Sequence, residues 1–130
     1  MKLFFACLLL HLVADFTLQG CLANMKQKSW WEELFKNSTE DCRLFMLDYK
    51  CALICHALYW TLVTFAPIIF FMKVTPMAMA ILVVSNTIVH SMVDDTKANY
   101  QVINLWIDQI IHLFQIVLTI FLVSKFGMIG

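Results

Sequence analysis

Residues 77–97 read MAMAILVVSNTIVHSMVDDTK, and this stretch decides the fold. It carries no charge from Met77 to Val89, then sets His90 and Asp94 four apart and ends on Lys97. Between Lys73 and Lys97 the only ionisable side chains are His90, Asp94 and Asp95. A helix of about 20 apolar residues crosses the hydrocarbon core, and in lipid a spanning segment must pair its own backbone polar groups. The stretch therefore predicts a transmembrane helix over about 77–95. Pro76 is harmless at its start.

The same punctuation by charge recurs along the chain. Lys2 and Lys26 bound a run broken by His11 and Asp15, Lys50 and Lys73 a run with His56, and Lys97 and Lys125 a run with Asp108 and His112. Four transmembrane helices follow, at about 3–22, 51–72, 77–95 and 104–124. They make residues 1–130 a single all-α membrane domain, an integral four-helix bundle. Composition agrees: 62% of the 130 residues are hydrophobic and 14% charged, against about 45–50% and about 25% in soluble domains. Nine basic residues balance nine acidic ones, so no basic surface serves nucleic acid. The first run resembles a signal peptide, with a lipoprotein-like box at Leu18–Cys21, but His11, Asp15 and Gln19 fit it poorly and we expect it to be retained. The five cysteines, Cys7, Cys21, Cys42, Cys51 and Cys55, read as small buried apolar residues rather than disulfides.

One connection is long, residues 23–50. Within it 29–36 reads SWWEELFK and gathers Trp30, Trp31, Leu34 and Phe35 on one helical face, which suits the headgroup layer. Ser38 and Asp41 have capping-box spacing for a further short helix. The loop holds Lys26, Lys28, Lys36, Arg43 and Lys50, and the third connection adds Lys97; the other side has Lys2, Lys73 and Lys125. The basic excess predicts that the long loop is cytoplasmic.

Each of the four runs contains one histidine, and besides Asp95 three aspartates share them, Asp15, Asp94 and Asp108. An aspartate at a helix centre costs about 2.5–3.5 kcal/mol on insertion scales, so these residues need a compensating partner. His11 and Asp15, His90 and Asp94, and Asp108 and His112 are all four apart, hence each pair lies on one helix face. Because the chain reverses at each span, all of them, with His56, fall in the half of the bilayer that faces the long loop. Imidazole and carboxylate together suit zinc, manganese or iron, and helix bundles build such sites from facing helices. His11, Asp15, His56, His90, Asp94, Asp108 and His112 are thus candidate ligands for one or two divalent ions, with some carboxylates orienting histidines instead. Two metal-free readings stay open: hydrogen bonds that join the helices, and an ion or proton path. Gln19, Asn86, Asn104 and Gln115 read as interhelical hydrogen-bonders, Asp95 as a cap, and Trp60, Phe70 and Phe71 as packing or interfacial residues.

Four blocks resemble a bacterial and phage membrane family catalogued as domain of unknown function 3307: His11-Leu-Val-Ala-Asp15-Phe-Thr-Leu-Gln19, His56 with Trp60-Thr61, His90-x-x-x-Asp94-x-x-Lys97, and Asp108-Gln109-x-x-His112. Asp95 stands where that family commonly has an aromatic. The resemblance implies a multi-pass protein of the bacterial inner membrane, of bacterial or phage origin, and supplies no activity. The chemistry of the residues suggests a metal-dependent hydrolase. Asp15 would be its general base and Lys97 the holder of an anionic group such as a lipid phosphate. The expected partners are the bilayer and a lipid substrate, with a homo-oligomer or a host membrane protein as further possibilities. The alternatives are a non-catalytic membrane effector with a structural metal, and a metal or ion transporter.

Overall fold

Thr75 and Pro76 start the longest helix. Thr75 Oγ1 accepts from the Ala78 amide at 3.3 Å, and Pro76 fills the first helical position, where no amide hydrogen is needed. This helix, α6, runs Pro76–Ala98. The structure, a computed structural model, describes residues 1–36 and 47–125. The other elements are α1 (Lys2–Leu12), a π turn (Val13–Thr17), α2 (Leu22–Met25), α3 (Lys28–Phe35), α4 (Asp48–Thr64), α5 (Ala66–Phe71) and α7 (Leu105–Lys125). Every described element is helical. α4 packs on α6, α6 on α7, α7 on α1 and α1 on α4, which closes a ring of four helices.

Among the described residues two helices are long and apolar enough to cross a membrane, Pro76–Ala98 and Leu105–Lys125. They match the expected third and fourth spans. The first two expected spans differ. At 1.5 Å per residue α1 rises about 16 Å and α4 about 25 Å, each short of the ~30 Å hydrocarbon core. The π turn ends the regular part of the first run. Pro67 ends α4: in a continuous helix its ring would clash with the carbonyl of Val63, and it has no amide to donate. The helix therefore closes at Phe65, whose amide donates to Thr61 O at 3.0 Å, and α5 begins afresh with Pro67 in its first turn. The expected unbroken helix over 51–72 is corrected accordingly.

The ring has a polar interior and an apolar outside. All four histidines and Asp15, Asp94 and Asp108 are buried, whereas Phe5, Leu9, Ile54, Ile81, Ile88, Phe114 and Phe121 point outward with at least half their surface exposed. A purely apolar core sits to one side of the polar layer and includes Cys7, Phe65, Ile68, Leu82, Ile116 and Val123, with Trp60 at its border. Asn86 ties α6 to α7: its Oδ1 accepts from Gln115 Nε2 at 2.9 Å and from Thr119 Oγ1 at 3.1 Å. Asn104 caps α7 by accepting from the Ile107 amide at 3.0 Å, and so is not an interhelical bonder. Of the described cysteines only Cys7 is buried; Cys21, Cys51 and Cys55 are exposed, contrary to their reading as core residues.

The start of the long connection folds back over the ring. Gly20 takes a left-handed backbone, φ 53°, which reverses the chain after the π turn at no side-chain cost. Asn99, at the end of α6, then fastens the returning segment: its Oδ1 accepts from the Lys28 amide at 2.7 Å and its Nδ2 donates to Lys26 O at 3.1 Å. The expected amphipathic helix at 29–36 is present as α3, with Trp31 buried and its indole N–H donating to Met25 O at 2.7 Å, while Leu34 faces outward. The expected capping box at Ser38 and Asp41, with Cys42 and Arg43, lies outside the described residues.

Candidate metal centre

Asp15 reaches the interior because of the π turn. Leu18 N–H donates to Val13 O at 3.0 Å, five residues back rather than four. The extra residue shifts the face presented by everything after it, and such bulges occur frequently at functional sites. Asp15 Oδ1 then lies 3.6 Å from His56 Nε2 on α4.

Four elements bring five of the predicted ligands together. His90 Nε2 lies 3.4 Å from His56 Nε2, and His90 Nδ1 lies 3.2 Å from His112 Nδ1. Asp94 sits among all three rings. Its Oδ1 is 3.4 Å from His112 Nε2 and 3.7 Å from His90 Nε2, and its Oδ2 is 3.3 Å from His56 Nε2. Two buried sets have ligand atoms all within 4.8 Å of one another: Asp15, His56 and His90, and His90, Asp94 and His112. Either could hold a metal ion, since imidazole nitrogen and carboxylate oxygen are the donors that zinc and related ions take. His56 Nδ1 is buried with no hydrogen-bond partner among the described residues, so that ring is not fully committed to a hydrogen-bonded scaffold.

His11 and Asp108 belong to neither set. His11 has both nitrogens engaged: Nδ1 accepts from the Trp60 indole at 2.8 Å, and Nε2 meets Gln109 Oε1 at 3.0 Å. Asp108 Oδ1 lies 3.3 Å from His112 Nε2, one turn away, and its Oδ2 accepts from Lys97 at 2.7 Å and from Gln109 Nε2 at 3.0 Å. Both residues are placed to orient other groups. His11 and Asp15, expected to share one helix face, are joined through Gln109, whose Nε2 also donates to Asp15 Oδ2 at 2.8 Å. Gln19 donates to Asp15 Oδ1 at 3.1 Å, and to its main-chain oxygen, within its own segment rather than between helices.

Sequence reasoning missed three parts of this site. Trp60 is fully buried; its ring lies 4.1 Å from that of His90, nearly parallel, besides its bond to His11. Its packing role extends into the centre, and the signal was its place one helical turn after His56. Gln109 is the amide that links Asp15, Asp108 and His11; only the family-like Asp108-Gln109 pair hinted at it. Lys26 reads in the sequence as a loop charge, yet its ammonium is 2.5 Å from Asp94 Oδ2 and nearly buried. No local pattern marks it, because Asn99 and the Gly20 reversal deliver it from outside the helices. Lys97, expected to face an anion, is one-third exposed and paired with Asp108. Lys26, Asp94 and Lys97 all line one open pocket at this end of the ring.

The chain matches no family model, no curated protein and no solved structure.

Proposed function

We propose that this protein is a multi-pass four-helix protein of the bacterial inner membrane. It holds a divalent ion and hydrolyses a lipid or lipid-linked phosphoester at the cytoplasmic side. The observation that carries the reading is the buried His90–Asp94–His112 set, with ligand atoms within 4.8 Å and with Asp94 also facing an open polar pocket. The apolar outer surface of all four ring helices supports embedding in lipid. Buried aspartates at that depth are tolerated once a cation offsets their charge. Both candidate sets draw on His90, which favours one ion over two. Zinc is the first candidate, with manganese or iron next.

A divalent ion bound there would supply Lewis acidity and a water acidic enough to give hydroxide near neutral pH. The chain's own groups do the rest. Asp15, held by Gln109 and Gln19 and paired with His56, is left free of that set to accept a proton. Lys26 and Lys97 supply positive charge beside it for an anionic group. Elemental analysis of protein purified without chelator, followed by phosphate release from lipid phosphomonoesters and diesters, tests the reading. About one ion per chain and chelator-sensitive release are expected; absence of both overturns it.

A second reading is favoured by Lys26. Its ammonium already neutralises Asp94 as an ion would, so the cluster can be a hydrogen-bonded scaffold that joins the helices. Metal-free protein with unchanged thermal stability would decide for it.

A further inference from the structure

The pocket beside Asp94 has a volume of about 410 Å³ and is lined also by Gln19, Gln27, Gln101, Lys26 and Lys97. Its two ammonium groups are both held on the inner side, Lys26 by Asp94 Oδ2 at 2.5 Å and Lys97 by Asp108 Oδ2 at 2.7 Å. Each lysine thus joins the pocket to a buried carboxylate beside the histidines. Lys26 is only 9% exposed, and lysine is rarely so buried unless it is paired. Gln101 takes a left-handed backbone, φ 55°, just past the end of α6, where glycine is usual. Gln101 also lines the pocket. Two ammonium groups, with the carboxamides of Gln27 and Gln101, give the pocket an excess of N–H donors, a pattern that suits the several acceptor oxygens of a phosphate.

We propose that this pocket binds a phosphate group, and that a divalent ion at His90–Asp94–His112 strengthens that binding by releasing Lys26 from Asp94. The inference rests on the metal reading above. Without an ion, Lys26 neutralises Asp94. Were an ion held by His90, Asp94 and His112, its charge would replace the ammonium's at Asp94, and the flexible four-carbon stem of Lys26 would let the ammonium turn into the pocket. The phosphate then meets an unpaired ammonium with Lys97 beside it. Linkage makes the effect reciprocal: bound phosphate must tighten the ion by the same factor. Free phosphate and a lipid phosphate headgroup present the same chemistry to these donors.

The test uses the full chain in nanodiscs of neutral lipid, titrated with inorganic phosphate by calorimetry before and after loading with Mn²⁺ or Zn²⁺. Phosphate should bind about tenfold more tightly to the loaded protein, within the usual range of coupling. Lys26→Gln should keep the ion and lose that gain, and the exposed Lys28→Gln should keep both. Lys97→Gln, a more exposed position, should weaken phosphate binding to the loaded protein and serves if Lys26→Gln does not fold. An ion that binds while phosphate affinity stays unchanged, or a gain that survives Lys26→Gln, overturns the inference and leaves the metal reading intact. Failure to bind any ion overturns both. A second arm repeats the ion titration in nanodiscs with phosphatidic acid. Tighter ion binding there, absent in Lys26→Gln, assigns the lipid headgroup; a response to inorganic phosphate alone assigns a soluble ligand.

Discussion

Trp60 donates its indole N–H to Nδ1 of His11 at 2.8 Å, and this one bond fixes the tautomer of a buried histidine. With Nδ1 accepting, the proton of His11 sits on Nε2 and points at Gln109 Oε1, 3.0 Å away. The Gln109 amide is then forced to turn its NH₂ toward Asp15 and Asp108. An aromatic residue on α4 thereby sets the orientation of two carboxylates contributed by the π turn and α7.

Trp60→Phe keeps the ring against His90 and removes only the donor. We expect a loss of about 1–2 kcal/mol in stability from the freed buried acceptor. Metal affinity should fall about tenfold, as when an outer partner of a ligand is removed. Chemical denaturation and metal titration of the variant check both. Unchanged metal affinity would disconnect the Trp60–His11–Gln109 chain from the centre.

Asp94→Asn tests the group on which three histidines and Lys26 converge. The amide keeps the shape but loses the charge, so bound metal should disappear. Lys26 would be left buried without its partner, a change that typically costs about 3–5 kcal/mol. Lys26→Met combined with Asp94→Asn should recover much of that stability and none of the metal. Melting temperature and elemental analysis of the two variants separate the charge effect from the ligand effect.

His112→Ala and His11→Ala distinguish ligand from orienting residue. His112 belongs to the His90–Asp94–His112 set, so its removal should abolish binding. His11 has both nitrogens in hydrogen bonds to protein groups, so its removal should leave an ion bound, with affinity lowered about 10–100-fold. Equal metal content in the two variants would contradict this division of roles.

Lys36→Cys, in a background without the five native cysteines, reports the side of the membrane. Lys36 is exposed at the end of α3, within the connection that carries most of the basic residues. A membrane-impermeant thiol reagent should label it only after cells are opened. Ready labelling of intact cells would invert the topology.

Much of this arrangement is readable in the residues. Apolar runs bounded by lysines give α6 and α7 to within three residues at each end. The spacing of four between His90 and Asp94, and between Asp108 and His112, predicts pairs that the structure brings within 3.7 and 3.3 Å. Pro67 carries a helix break that its place inside an apolar run disguised. The π turn has no sequence mark, because adding one residue to a helix changes no composition or period that five residues can display. Lys26 is invisible for a different reason. A lysine in a connecting segment normally stays in water, and only the tertiary bonds of Asn99 show that this segment lies over the buried end of the ring.

The π turn has a genetic consequence. Deleting one residue within 13–17 would let the backbone return to regular α-helical hydrogen bonding, so the chain itself would tolerate the edit. It would also turn α1 by about 100° relative to all that follows, and His11 could no longer face Gln109 while Asp15 faces His56. Phe16, now on the outer surface with 58% of its area exposed, would swing with that rotation. Point substitutions at these five positions act on single contacts, whereas a change in their number resets the phase of the whole first segment. The number of residues in Val13–Thr17, and not Asp15 alone, therefore sets what the first segment presents to the centre.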